Sequence, residues 1–309
     1  SNRYVMTYNG EIYNSDEIRN ELIKSRVTVN WRGHSDTEVL LAGFDAWGIR
    51  ETVSRVTGMF AIAVWDKELE QLTLIRDRIG EKPLYYGWQG SGSNKVFLFG
   101  SELKALKKHP QFINEIDRGS LALYMRYCYV PAPHSIYKGI MKVEPGTIVT
   151  VTLKESEHTT EKYWNALDVV RTGAESPFEG TVDEVTNNLD IALRYAISQQ
   201  MVADVPLGAF LSGGIDSSTV VALMQAQSSK PIKTFTIGFS EAGYNEAEFA
   251  KLVAGHLGTE HTDLYVSSQD ALNVIPKLPN LYCEPFADAS QIPTYLVSSL
   301  ARHHVTVSL

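Results

Sequence analysis

The sequence predicts two joined domains of different class. The first is an α+β domain of stacked antiparallel sheets flanked by helices. The second is an α/β domain on a doubly wound, mostly parallel sheet. Three observations predict this. The chain has 309 residues, twice a domain of roughly 150. Its first half is crowded with short strand-like runs and has few helical stretches. From Thr181 onward, strands alternate with helices, the pattern of a parallel sheet.

In order, residues 4–8 read as a short strand. Asn9-Gly10 follows, a strong turn signal, so a hairpin is one reading there. Asn14-Ser15-Asp16 caps a helix over 17–24, with Ile18, Leu22 and Ile23 on one face. Ser35-Asp36-Thr37-Glu38 resembles an N-cap signature opening an amphipathic helix over 37–47. Residues 58–65 (G-M-F-A-I-A-V-W) make a buried strand, paired with 72–76 across a turn. Further strands fall at 85–88 and 95–100, and Ser101-Glu102 opens a helix. Residues 121–127 are helical, and the two prolines of 130–133 require extended or turned backbone. A strand at 148–153 follows, and Tyr163-Trp164 closes this half. Residues 171–180 have the Gly, Ser and Pro content of a linker.

In the second half, Val185, Leu189, Ala192, Leu193 and Ala196 repeat at helical spacing. Residues 207–218 (L-G-A-F-L-S-G-G-I-D-S-S) then read as strand, glycine turn, helix. Such a unit gathers backbone N–H groups at a helix N-terminus, where negative charge is favoured. Gly213 and Gly214 permit close backbone approach. Ser212, Ser217 and Ser218 add hydroxyl donors. The guest this suits is a phosphate or pyrophosphate, and a plain tight turn is the alternative. The spacing is neither that of the lysine-bearing Walker loop nor G-x-G-x-x-G. Strands at 233–239, 261–266 and 305–309 alternate with helices at 246–257, 269–278 and 293–303. Ligands of such sheets sit beyond the strand carboxyl ends, where this loop and Ile237 fall.

The net charge of −8 argues against a general nucleic-acid binder. Cys128 and Cys283 have no metal-ligand spacing and read as reduced thiols of a cytoplasmic protein. No run approaches the ~18 apolar residues of a membrane span, and Ser1-Asn2-Arg3-Tyr4 does not open a signal peptide.

The S-G-G-I-D-S-S loop resembles the pyrophosphate loop of the ATP pyrophosphatase superfamily. N-G-E-I-Y-N, W-R-G-H-S-D-T-E, G-M-F-A-I-A-V-W-D, R-D-R-I-G-E-K-P-L-Y-Y, G-S-E-L-K-A-L and T-F-T-I-G-F accompany it in one order. Together they resemble a class B, glutamine-hydrolysing asparagine synthetase over essentially the whole chain. The resemblance implies a glutaminase domain at 1–164, a linker at 165–180 and an ATP pyrophosphatase domain at 181–309. It implies that ammonia from glutamine passes inside the protein to an aspartate carboxylate adenylated by ATP, displacing AMP. Asn9 and Gly10 correspond to the oxyanion hole. Glu11 and Asp36 correspond to binders of glutamine's α-amino group, Asp36 as a plain N-cap being the alternative. Leu211, Ser212, Gly213, Gly214, Asp216, Ser217 and Ile237 correspond to the ATP site. Asp216 resembles a Mg2+ ligand. Residues 77–86 with Arg76 resemble a domain contact near the ammonia passage, or else a salt-bridged surface loop. The partners implied are glutamine, ATP, and aspartate or another carboxylate, without nucleic acid or membrane. A homodimer is a candidate assembly.

The departures are specific. The family's Met-Cys-Gly-Ile start, with its cysteine nucleophile, is not seen, and Ser1 is no substitute. The S-G-[DE]-G-x-D-E motif that follows T-V-S-L in the family is not reached. The chain therefore reads as an internal fragment, expected to be inactive alone. Cys283 stands where many relatives have aspartate, expected near the substrate pocket. The alternatives are an amidotransferase of the same architecture acting on a sugar or peptide carboxylate, and a non-catalytic nucleotide-binding relative.

Overall fold

In the computed structural model, residues 2–25, 29–152, 157–203, 205–239 and 246–309 are described. Ser1 and Leu153 lie outside them. The chain divides into two units, Ser1–Pro177 with Cys283–Ala287, and Phe178–Tyr282 with Asp288–Leu309.

The first unit begins with β1 (Tyr4–Ile12), α1 (Ser15–Lys24), α2 (Asp36–Trp47) and α3 (Ile49–Arg55). β2 (Gly58–Asp66), β3 (Gln71–Arg76), β4 (Tyr85–Gln89), β5 (Val96–Gly100), α4 (Leu103–Leu106) and α5 (Arg118–Tyr127) follow. β6 (Ile140–Lys142), β7 (Thr147–Thr152), β8 (Glu157–Lys162) and α6 (Ala166–Glu175) complete it. One antiparallel sheet has the order β1-β2-β3-β7-β8, the other β5-β4-β6. The period-two alternation of β2 divides the core. Phe60, Ile62 and Val64 pack with Ile18, Leu22, Leu40 and Phe44 of the helices. Ala61 and Ala63 pack with Leu84, Tyr86 and Val143 of the other sheet's side.

The hairpin at Asn9-Gly10 does not form. β1 runs through both residues, with Gly10 opposite Phe60. Gly10 has φ +152°, and a Cβ there would meet the Met59 carbonyl at 2.0 Å. The glycine therefore serves close strand approach rather than chain reversal. Asn14 is not a side-chain cap of α1. Its amide instead donates to Arg55 O (3.0 Å) and accepts from Thr57 N (2.7 Å). The stretch read as a linker is helical as far as Glu175, as α6, with no buried residue.

In the second unit, α7 (Val182–Gln200) starts at a capping box between Thr181 and Glu184. β9 (Leu207–Phe210), α8 (Ile215–Gln227), β10 (Lys233–Phe239), α9 (Ala247–Leu257) and β11 (Glu260–Val266) follow. Then come α10 (Ser268–Val274), a 3-10 turn Ile275–Lys277, α11 (Leu278–Leu281), α12 (Gln291–Ala301) and β12 (Val307–Ser308). The helix expected over 269–278 is broken because Pro276 supplies no backbone N–H. All pairings are parallel, in the order β11-β10-β9-β12. Ala209 and Leu211 pack on one face with α8 and α9 residues such as Val221, Met224 and Ala250. Phe210 and Phe235 pack with Val297, Leu300 and Ala301 of α12 in a separate cluster. Helices thus cover both faces. The order reverses between β9 and β12, a topological switch point at the carboxyl end of β9. Among the described residues, no helix is long and apolar enough to cross a membrane.

Candidate functional site

In the first unit, strand register decides which groups face the outer edge of β1. Phe60 N–H donates to Asp77 Oδ2 (3.2 Å), and Phe60 O accepts from Asp77 N (2.9 Å). Gly10–Phe60 is therefore a non-hydrogen-bonded pair, and the Gly10 N–H points off the sheet edge. Ile12 N–H, two residues on, points the same way and donates to Asp36 Oδ2 at 3.1 Å. The edge thus brings Gly10 N–H and the Asp36 carboxylate about 6.8 Å apart along the strand.

Asp36 is more than a cap. Ser35 is the N-cap of α2, its hydroxyl accepting from Thr37 N. Asp36 Oδ2 also accepts from the Tyr8 hydroxyl at 2.6 Å. Glu38 holds the preceding loop, accepting from Arg32 N (2.7 Å) and Gly33 N (3.1 Å). The Arg32 hydrogen bond leads the causes that hold its carboxyl below the usual range. Asn9 and Glu11 are exposed, on the opposite face of β1 from Tyr8. Asn9 Nδ2 donates to Ser101 Oγ. Glu11 is linked to the group electrostatically, since its charge and that of Asp36 both raise the Tyr8 phenol after burial has done so. Among the described residues, neither Glu11 nor Asp36 has an ion-pair partner.

The R-D-R-I-G-E-K stretch is not a salt-bridged surface loop. Arg76 donates to the carbonyls of Gly80, Lys82 and Val143 at 2.7–2.8 Å. Arg78 donates to those of Ser54 and Val56. The fully buried Asp77 accepts from Gly80 N, Glu81 N and Lys82 N. These charges are spent on shaping the backbone.

Cys283 corrects another expectation. It belongs with Glu284 to the first unit and packs on the Tyr85, Leu103 and Ile140 cluster. Glu284 Oε1 accepts from Ile136 N (2.7 Å), Oε2 pairs with Lys142, and Tyr85 O–H donates to Oε2 at 3.4 Å. Neither residue lines the cavity of the second unit.

That cavity, about 1000 Å³, has Leu211, Ser212, Ser217 and Ile237 in its walls, joining residues from two predicted segments. Gly213 and Gly214 lie outside the walls on the same loop, as does Asp216 in the first turn of α8. The loop is preorganised. Ser212 N donates to Ser217 Oγ (3.2 Å), the two hydroxyls lie 2.9 Å apart, and Gly214 N donates to Ser212 Oγ (3.3 Å). Gly213 has φ +79°, and a Cβ there would stand 2.8 Å from Ala250 N of α9. Gly214 is the N-cap of α8, with no side chain over the first amides, and Asp216 is an exposed acid in its first turn. A single carboxylate beside such a loop has the chemistry by which Mg2+ is usually held, one or two carboxylates together with phosphate oxygens. Among the described residues, no group of three or more His, Cys, Asp or Glu gathers for a metal.

Sequence reasoning missed most of the cavity. Phe210, Phe235 and Thr236 sit beside predicted residues, but Ala271, Ile275 and Val297 come from α10, the 3-10 turn and α12. Tyr8 and Ser101 were also missed as partners. Both lay in or beside quoted motifs, yet only the folded register reveals their contacts.

An open-edged antiparallel unit with an uncompensated carboxylate, and a Ser-Gly-Gly loop at a parallel-sheet switch point, define the class. Residues 1–164 match the glutamine amidotransferase domain family and residues 188–309 the asparagine synthase family, and the chain belongs to the family of glutamine-hydrolysing asparagine synthetases. It is 36% identical over 306 residues to asparagine synthetase [glutamine-hydrolyzing] 1 of Bacillus subtilis, covering 99% of this chain and 46% of that protein. It is 35% identical to putative asparagine synthetase [glutamine-hydrolyzing] 2 of Methanocaldococcus jannaschii, covering 99% and 56%. It is 26% identical to the Mus musculus asparagine synthetase [glutamine-hydrolyzing], covering 88% and 46%. The chain thus spans about half the length of the curated relatives it matches.

Proposed function

We propose that this chain carries the glutamine-binding and ATP-binding parts of an enzyme that makes asparagine from aspartate, ATP and glutamine. In this reading residues 1–164 are the glutaminase domain, 165–180 the connection and 181–309 the ATP pyrophosphatase domain, working in the cytoplasm. Gly10 N–H and the Asn9 amide receive the oxyanion as glutamine's carboxamide is attacked. Asp36 and Glu11 take its α-ammonium. In the second domain the 212–218 loop and the N-terminus of α8 hold the α and β phosphates. Leu211 and Ile237 pack on the adenosine, and Asp216 would hold Mg2+. The magnesium ion supplies charge neutralisation at the pyrophosphate leaving group.

The observation that carries the reading is the preorganised Ser-Gly-Gly loop opening on the cavity beyond β9. The aspartate acceptor follows the names of the relatives, because a phosphate loop does not read the acceptor. Isothermal titration of the chain with ATP and with pyrophosphate, with and without Mg2+, tests it. Mg2+-dependent binding of both is expected. Absence of heat from a chain that circular dichroism shows folded would sink the ATP assignment.

A further inference from the structure

Asp36 is a half-buried carboxylate with an asymmetric surrounding. Its Oδ2 accepts two hydrogen bonds, from Tyr8 O–H at 2.6 Å and Ile12 N–H at 3.1 Å. Among the described residues its Oδ1 meets only the hydroxyls of its own turn, Ser35 at 3.5 Å and Thr37 at 3.4 Å, at the outer limit for such bonds. Carboxylates removed from water are normally paired with a cation, and Asp36 has no such partner among the described residues. The two donors therefore fix the carboxylate plane without neutralising it. One oxygen is held by the protein, and the other stays available to a cation arriving from outside.

Tyr8 is placed for this by strand periodicity. Residues 4, 6, 8, 10 and 12 point to the helical side of β1, and 5, 7, 9 and 11 to the other. Tyr8, the inward residue two positions before Gly10, meets Asp36 in the first turn of α2. A phenol there has length enough to reach Asp36 and a ring to pack on the helical core. Phenylalanine would pack equally well but would leave Oδ2 with one donor, and the carboxylate free to rotate.

We propose that Tyr8 is a positioning residue that aims Asp36 Oδ1 at the α-ammonium of glutamine, and so sets the preference for an α-amino acid over a carboxamide lacking that group. This rests on the glutamine reading above. Tyr8 touches no substrate; it acts through Asp36. Its hydroxyl remains a donor throughout the working pH range, since burial and then the Asp36 hydrogen bond push its ionisation well above the ordinary tyrosine range.

The test compares L-glutamine with glutaramate, the same carboxamide and carboxylate without the α-amino group, by NMR titration of the full chain. In wild type, L-glutamine binds more tightly than glutaramate. Tyr8→Phe is expected to weaken L-glutamine about tenfold, as for loss of one charge-assisted hydrogen bond, and to leave glutaramate within about twofold. Retained glutaramate binding also reports an intact fold. Asp36→Asn is a second variant acting on the same carboxylate. It should remove most of the discrimination, Glu11 alone keeping the remainder, and Tyr8→Phe added to it should change nothing further. Equal effects of Tyr8→Phe on both ligands, or none on either, overturn the role of Tyr8 while the glutamine reading stands. Failure of the folded wild type to bind L-glutamine overturns both.

Discussion

Asn9 Nδ2 donates to Ser101 Oγ at 3.0 Å, joining β1 to the end of the other sheet across 92 residues. A carboxamide nitrogen has two donors, so Ser101 takes one and sets the direction of the other. Ser101→Ala should cost less than about 1 kcal/mol, because the pair is exposed. L-glutamine affinity should change less than about twofold, because in the role proposed for it Asn9 acts on charge that develops only after binding. The two Asn9 side-chain N–H resonances should nevertheless move toward each other. Denaturation midpoints and side-chain amide NMR check these expectations together.

Gly213 and Asp216 should fail in different ways. Gly213→Ala forces a Cβ against Ala250 N of α9 with φ at +79°, so the loop must leave its position. ATP and pyrophosphate affinity should both fall, by about tenfold or more, with or without Mg2+. Asp216→Asn keeps the loop and should weaken only the Mg2+-dependent part. Titrations at zero and saturating Mg2+ separate the two.

Lys142 and Glu284 form an ion pair whose side chains are 15% and 9% exposed. Removing one partner leaves the other charge buried. Lys142→Met should therefore cost about 3–5 kcal/mol. Glu284→Gln added to it should recover part of that loss, because the amide oxygen can still accept from Ile136 N. A urea double-mutant cycle measures the coupling. Additive losses would mean that the pair is not coupled in solution.

His261 supplies a pH dependence. Its Nδ1 lies 2.9 Å from Thr234 Oγ1, and its Nε2 is buried without a partner among the described residues. Burial lowers its pKa below the ordinary histidine value of 6.5, Asp263 opposing and Lys251 assisting. The unfolded chain then binds the proton more readily, so stability is full above about pH 6.5 and falls as pH drops toward the lower folded value. Melting temperature measured from pH 7.5 down to 5 should fall less steeply in His261→Gln than in wild type.

Much of the fold was legible because its signals are local. The G-M-F-A-I-A-V-W run is apolar on both faces, and β2 is covered on both. The strand-glycine-helix unit at 207–218 is one contiguous motif, and the sheet order places it at the switch point. Asn9-Gly10 was ambiguous because glycine serves both turns and close strand approach, and only the neighbouring strand decides between them. The cavity walls come from α10 and α12 as well as the two motifs, and no local pattern marks such a gathering. Cys283 misled for a similar reason. Its place depends on Glu284 meeting Lys142, a partner 142 residues earlier.

The Cys283–Ala287 segment gives the first unit a late-arriving piece. Ile136 N and Lys142 have no access to the Glu284 carboxylate until the chain has grown roughly a hundred residues past Pro177. At ribosomal rates of about 5–20 residues per second, that is a delay on the order of 5–20 s. During synthesis the unit must wait with the Tyr85 and Ile140 cluster uncovered on that side, a window in which a chaperone or a neighbouring nascent chain can compete for it. A gene cut at the family boundary would make that interval permanent.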